Sequence, residues 1–241
     1  MFESVHDPVV NEVTSVSQAK TLNIVFVVFD DVTQLDFTGP AQCLARMPGA
    51  RVFVAAEKAA PIRTDCGFSI VPTVTYANCQ QADVLCVPGG RGVSTAIRQK
   101  TTVSFVRSQA SRAQWVTAVC TGAFILGAAG LLRGKRATTH WGYTHLLPLL
   151  GAVHEPHRVV TDGTLITAGG VTSGIDFGLT LVGQIAGPDA AQKIQLALEY
   201  DPAPPFNGGT PAAAPAELVA ELRASVYEAA ASELEEILRA L

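Results

Sequence analysis

Cysteine pairs spaced C-x-x-C are absent from this 241-residue chain, and its five cysteines (Cys43, Cys66, Cys79, Cys86 and Cys120) are odd in number and irregularly spaced. This excludes a disulfide framework and a cysteine-based zinc site as organising principles, and no metal is expected. Charge is scarce too: 16% of residues are charged, the net charge is −4, and no basic cluster exceeds Arg133-Gly134-Lys135-Arg136. A nucleic-acid partner is therefore not expected. Apolar runs such as Ala123 to Leu132 are far too short to span a bilayer, so no membrane partner is expected either. The first residues have neither a basic start nor an apolar core, so no secretory signal is expected and the chain reads as cytoplasmic. Nucleotide fingerprints are missing: there is no G-x-G-x-x-G, and Gly89-Gly90-Arg91-Gly92 lacks the lysine and Ser/Thr of a phosphate loop.

Apolar residues are plentiful, at 48%, and they alternate between strand-like and helix-like runs without a break that would divide the core. Residues 1–20 are polar and aperiodic and read as a disordered arm. Strands are expected at 22–29, 51–56 and 82–87, with a short antiparallel excursion around 67–71. Pro40 is placed to open a helix running to about Arg46. Helices around 93–98 and 101–112 lead to a strand beginning at Trp115, and a helix is expected at about 142–150. Asp162-Gly163 between Arg158–Thr161 and Thr164–Thr167 signals a two-residue hairpin. Helices follow at about 171–185 and 188–198. Residues 201–216 hold five prolines and read as a linker. The chain closes with one amphipathic helix whose apolar face is Leu218, Leu222, Val226, Leu234, Ile237 and Leu241, to be packed on the core or on a partner subunit. The divisions are thus 1–20, an α/β domain over 21–200, and 201–241. The fold class is α/β, a mostly parallel central sheet with helices on both faces in a flavodoxin-like sandwich.

The chemistry centres on Trp115-Val-Thr-Ala-Val-Cys120-Thr121-Gly122, a strand that turns into a helix with almost no loop. Such a corner strains its backbone and projects the corner side chain, the logic of a nucleophile elbow. A helix N-terminus beside Cys120 should lower its thiol pKa; the alternative is an inert buried cysteine. Ligands in such sheets bind beyond the carboxyl ends of the strands. The loops Asp30 to Gly39, Pro88 to Gly92, Cys120 to Gly122 and Ala168 to Gly170 should therefore converge, bringing Asp36 to Cys120. Asp36, between Leu35 and Phe37, is either a helix cap or a carboxyl of raised pKa that carries a proton. Thr121 is a first-turn residue or a hydroxyl offered to substrate. Gly89, Gly90, Gly169 and Gly170 are turns, or pocket walls whose N–H groups are free for a small ligand. His140 either forms a dyad with Cys120 or is hydrogen-bonded at a strand end.

Five stretches together resemble the ThiJ/PfpI superfamily over roughly residues 22–210: Leu35-Asp36-Phe37-Thr38-Gly39-Pro40, Val87-Pro88-Gly89-Gly90, Ala118-Val119-Cys120-Thr121-Gly122-Ala123, Ala137-Thr138-Thr139-His140-Trp141, and Ala168-Gly169-Gly170-Val171 onward to Phe177. Too little chain follows residue 201 for the helix-turn-helix pair of the regulator branch. Thr121 stands where the protease-like branch has histidine, and the late His-x-Glu of glutamine amidotransferases is missing. The tail from Leu198 to Pro211, followed by one helix, resembles the isocyanide hydratase branch. That resemblance implies a cofactor-free homodimeric enzyme that adds water to an isocyanide to give an N-substituted formamide. It assigns Cys120 as nucleophile, Asp36 as acid–base carboxyl and Thr121 as the neighbouring hydroxyl. Val171 departs from the branch, which carries a larger aliphatic residue there. Other branches imply a cysteine redox sensor, a glyoxalase- or deglycase-like hydrolase of reactive carbonyls, or a lone regulator domain.

Overall fold

The apolar runs become the middle of one sheet. The computed structural model describes residues 21–241, so the arm expected over 1–20 lies outside the described residues. In chain order the elements are β1 (Leu22–Val27), α1 (Gln34–Leu44), β2 (Ala50–Ala56), β3 (Ile62–Arg63), β4 (Ser69–Ile70), β5 (Val74–Thr75), β6 (Val84–Val87), α2 (Val93–Arg98), α3 (Lys100–Ala110), β7 (Trp115–Val119) and α4 (Gly122–Ala128). Then come β8 (Arg136–Ala137), a 3₁₀ helix Trp141–Leu150, β9 (Val153–His154), β10 (Val159–Asp162), β11 (Leu165–Ala168), α5 (Ser173–Ala186), α6 (Pro188–Ala197), α7 (Ala216–Leu222) and α8 (Glu228–Arg239).

Seven strands form the sheet in the order β10-β11-β7-β6-β1-β2-β5. All neighbours are parallel except β10, which pairs antiparallel with β11 through the Asp162-Gly163 turn. Alternation along β1 sends Val25 and Val27 to one face and Ile24 and Phe26 to the other, each into its own buried cluster. The first face is covered by α2, α3, α4 and α8, the second by α1, α5 and α6. Burial on both faces is why these strands read as continuous apolar runs. The excursion expected near 67–71 is the β3–β4 antiparallel pair.

Three expectations need correction. Helix α1 starts at Gln34, not Pro40, which is its seventh residue. Proline cannot donate to the carbonyl four residues back, yet tight packing holds the helix together. The Cβ that Gly174 or Gly178 lacks would lie 3.0 Å from Pro40 Cδ or 3.2 Å from Pro40 Cα, so α1 and α5 cross almost backbone to backbone. Residues 141–150 form a 3₁₀ helix, containing Pro148 and closed by Gly151 at φ 70°. The terminal helix is not one continuous amphipathic face. A π turn at Arg223–Tyr227 separates α7 from α8 and shifts the phase of the stripe. Leu234, Ile237 and Leu238 are buried on the chain's own core, while Leu218, Val226 and Leu241 are exposed.

The turn from β7 into α4 is packed directly against neighbouring backbone. A Cβ on Gly122 would lie 2.1 Å from Val87 O and 2.7 Å from Pro88 O, both rigid backbone. Gly122→Ala should therefore cost on the order of 3 kcal/mol through overpacking. In a thermal melt this reads as a fall of roughly 6–12 °C; a variant melting within 2 °C of wild type would show that the corner yields.

Candidate active site

The four strand-end loops meet at the C-terminal edge of the parallel strands. Thr33 N–H donates to Gly89 O (2.9 Å) and Gly92 N–H to Asp31 O (3.2 Å), tying the loop after β1 to the loop after β6. Cys120 N–H donates to Ala168 O and Gly169 O, tying the β7 corner to the loop after β11. Cys120 has φ 57°, the left-handed region that non-glycine residues adopt at a cost of about 1–3 kcal/mol. Thr139 holds the corner from behind, its hydroxyl donating to Cys120 O at 2.7 Å.

Asp36 sits on the first turn of α1 and is 1% exposed. The helix is capped at Thr33, so Asp36 is not the N-cap. Its Oδ2 accepts from Gly89 N–H at 2.9 Å, and Oδ1 is buried with no hydrogen-bond partner among the described residues. Burial pushes the Asp36 carboxyl up to about 7, against the pull of Gly89 N–H and the Cys120 thiol beside it. A carboxyl that holds its proton near neutrality accounts for the unpartnered oxygen, since the protonated form needs fewer donors.

The thiol reverses one expectation. The Thr121 and Val171 N–H groups and the Thr121 hydroxyl favour the Cys120 thiolate, as the helix N-terminus predicts. Burial, and then the negative charge of Asp36, outweigh them and push the thiol well above its ordinary value. α4 is only seven residues long, too short for its dipole to offset full desolvation. Near neutral pH the Cys120 thiol therefore keeps its proton while the Asp36 carboxyl is part-way through losing its own, and the two groups titrate as a coupled pair.

The glycines act differently from expectation. Gly89 N–H donates to Asp36, Gly90 N–H to Thr121 Oγ1 (3.0 Å) and Gly169 N–H to Arg158 O (2.9 Å), so these donors position the protein rather than a ligand. A Cβ on Gly89 would lie 2.6 Å from Thr121 Oγ1 and 2.9 Å from Asp36 Oδ2, so only glycine lets the two groups share this backbone. Gly170 lies against the His140 ring, 2.7 Å from Cδ2 to where a Cβ would be, and Val171 presents its N–H to the Cys120 sulfur. His140 caps the 3₁₀ helix, its Nδ1 accepting from Gly142 N–H at 3.2 Å. Burial lowers its pKa to about 4, so the ring is neutral. The Nδ1 of His140 is thus engaged by the start of its own helix. Among the described residues no group of three His, Cys, Asp or Glu side chains could hold a metal ion.

Sequence reasoning missed several supports. Thr139 was visible only as part of a motif. Arg158 pairs with Asp176 and donates to Thr172 Oγ1 (3.0 Å), while Tyr200 OH donates to Asp176 Oδ1 (2.9 Å). This network braces the segment that carries Val171. No local spacing signals it, because its members lie 14 to 24 residues apart.

Residues 22–184 match the DJ-1/PfpI family. The chain is 51% identical over 202 residues to an isonitrile hydratase from Pseudomonas putida, covering 84% of this chain and 89% of that protein. It is 26% identical to a deglycase from Pyrococcus horikoshii over 61% of this chain and 89% of that one. A crystal structure of a ThiJ/PfpI family protein from Pseudomonas syringae superposes with a TM-score of 0.89 at 35% identity, covering 97% of each chain.

The Asp36 carboxyl gives a stability signature. Below about pH 4 it is protonated whether the chain is folded or not. Between about 4 and 7 the unfolded chain releases the proton and the folded one keeps it, so wild-type stability falls as pH rises through that window. Above it the full penalty remains, on the order of 2–4 kcal/mol. Asp36→Asn removes the ionisation, so its melting temperature relative to wild type should climb from pH 4 to pH 8. A difference that stays flat across that range contradicts a carboxyl held near neutrality.

Proposed function

The chain belongs to the DJ-1/PfpI family, and from that premise we propose that it is an isocyanide hydratase, converting R–N≡C and water to R–NH–CHO. The observation that carries the reading is a buried Asp36 beside Cys120, its carboxyl pushed up to about 7 and so able to give and take a proton at the sulfur. The 51% identity to the Pseudomonas putida enzyme supplies the substrate class.

The reacting form is reached when the Cys120 thiol passes its proton to the Asp36 carboxylate, leaving a thiolate beside a protonated carboxyl. The Thr121 and Val171 N–H groups stabilise that thiolate. The sulfur attacks the terminal carbon while Asp36 delivers its proton to the same carbon, giving the thioimidate R–N=CH–S. Asp36, now a carboxylate, takes a proton from water as the hydroxide oxygen bonds to the carbon, and passes that proton to nitrogen. The intermediate R–NH–CH(OH)–S then collapses: its hydroxyl proton goes to Asp36, the C–S bond breaks, and the formamide leaves. The pair is restored with no net change in protons. Gly89 and Gly90 hold Asp36 and Thr121 at the sulfur throughout. No cofactor enters these steps. All five cysteines are free thiols, which suits a reducing cytoplasm, and the resemblance to the hydratase branch supports a homodimer.

The test is formamide production from a simple isocyanide by the purified protein. Wild type should turn over; Cys120→Ala should lose all detectable activity, and Asp36→Asn should lose about 10²–10⁴ in kcat. Folded, reduced wild-type protein that yields no formamide would sink the reading. Turnover of methylglyoxal in its place would favour the reactive-carbonyl chemistry of the deglycase relative.

A further inference from the structure

The C-terminal helix brings an aromatic side chain back to the site. Tyr227 is the last residue of the π turn between α7 and α8, and π turns recur where a helix must aim a functional side chain. Its ring lies 4.9 Å from Trp141, 5.0 Å from His140 and 5.8 Å from Tyr143, all on or beside the 3₁₀ helix. Gly142 makes this possible: a Cβ there would lie 2.9 Å from Tyr227 Cγ. The cluster is anchored to the corner at two points. His140 follows Thr139, whose hydroxyl holds Cys120 O, and the His140 ring packs on Gly170, the neighbour of Val171. Burial, and then the charge of the Cys120 sulfur, raise both the Tyr227 and Tyr143 phenols above their ordinary values, so both hydroxyls stay protonated within reach of that charge. Arg223 covers the outer side, 5.6 Å from the centre of the Trp141 ring.

Resting on the hydratase reading above, we infer that Trp141, Tyr143 and Tyr227 form an aromatic wall that receives the R group of the isocyanide, making Tyr227 a specificity residue for aryl substrates. The terminal carbon of a bound isocyanide faces Cys120, so the R group extends away from the sulfur. Partly buried rings, with the Arg223 guanidinium on the outer side of Trp141, reward a flat apolar R group by edge and face contacts, and give less to a short alkyl chain. The terminal helix, outside the matched family segment 22–184, then carries a specificity determinant of its own.

The test compares phenyl and ethyl isocyanide as substrates of wild type, Tyr227→Ala, Tyr227→Phe and Gly142→Ala. In Tyr227→Ala the phenyl-to-ethyl ratio of kcat/KM should fall about tenfold, chiefly through KM for the phenyl compound. Tyr227→Phe keeps the ring and should keep the ratio within about twofold. Gly142→Ala displaces the Tyr227 ring without altering it, and should lower the ratio in the same sense. An unchanged ratio in both Tyr227→Ala and Gly142→Ala overturns the inference. Calorimetric binding of the two isocyanides to Cys120→Ala protein, with and without Tyr227→Ala, reads the wall apart from turnover. A phenyl preference lost with Tyr227 supports the wall even if wild type makes no formamide, which is the outcome that defeats the hydratase reading alone. Absence of any phenyl preference in Cys120→Ala overturns the wall.

Discussion

Desolvation of the Asp36 carboxyl against the Cys120 thiol is the constraint on which the site depends. An isolated carboxylate removed from water is costly, and the usual remedies are a cation or several hydrogen-bond donors. Among the described residues Asp36 has no cation beside it and one backbone donor, Gly89 N–H. The remaining remedy is to keep a proton. A thiol in the same dry volume has the same difficulty with its own charge, so it too keeps its proton, and the two groups titrate as a coupled pair. This is an acid–base pair made by the withholding of water, with no histidine needed.

The fold supplies that dryness by bringing four backbone segments to one point. Parallel strands end at one edge, and the two central crossings place the corner of β7 between the loops after β6 and β11. Glycine is required where backbones touch. Gly122 lies where a Cβ would strike Val87 O, and Gly89 lies where a Cβ would strike both Thr121 and Asp36. The left-handed conformation of Cys120 is held by its N–H bonds to Ala168 O and Gly169 O and by the Thr139 hydroxyl. Corner strain, close glycines and a coupled acid–base pair are parts of one packing solution.

Much of this was legible in the chain. Continuous apolar runs at 22–29 and 82–87 read correctly as strands buried on both faces, and the Asp162-Gly163 turn as a hairpin, because period and turn chemistry are local. The convergence of Asp36 with Cys120 was legible because parallel α/β sheets place their loops at one edge. What failed depended on tertiary context. Pro40 reads as a helix start only until α5 is packed against it and the helix runs through. The helix-dipole argument for a depressed Cys120 pKa was sound locally and lost to burial, a quantity no spacing reports. The π turn at Arg223–Tyr227 has no residue signature, and so the expected apolar stripe holds at Leu234 and Ile237 but not at Leu218, Val226 and Leu241, which are exposed.

The same dryness also says what kind of substrate fits. A ligand with several polar atoms needs donors and acceptors from the wall, and leaving any unmet is penalised. Here the strand-end glycine N–H groups at positions 89, 90 and 169 are already bonded to the protein. An isocyanide asks for little: it is neutral, and in the first step its terminal carbon is the one atom that must accept a proton. In the proposed mechanism that atom meets the proton that Asp36 has taken from Cys120. Polarity then develops during reaction, first on sulfur and nitrogen and later on the formamide oxygen. Groups already fixed in place, the Thr121 and Val171 N–H donors among them, meet it without reorganising. Product leaves because a formamide, unlike the isocyanide, is better hydrogen-bonded in water than in such a pocket.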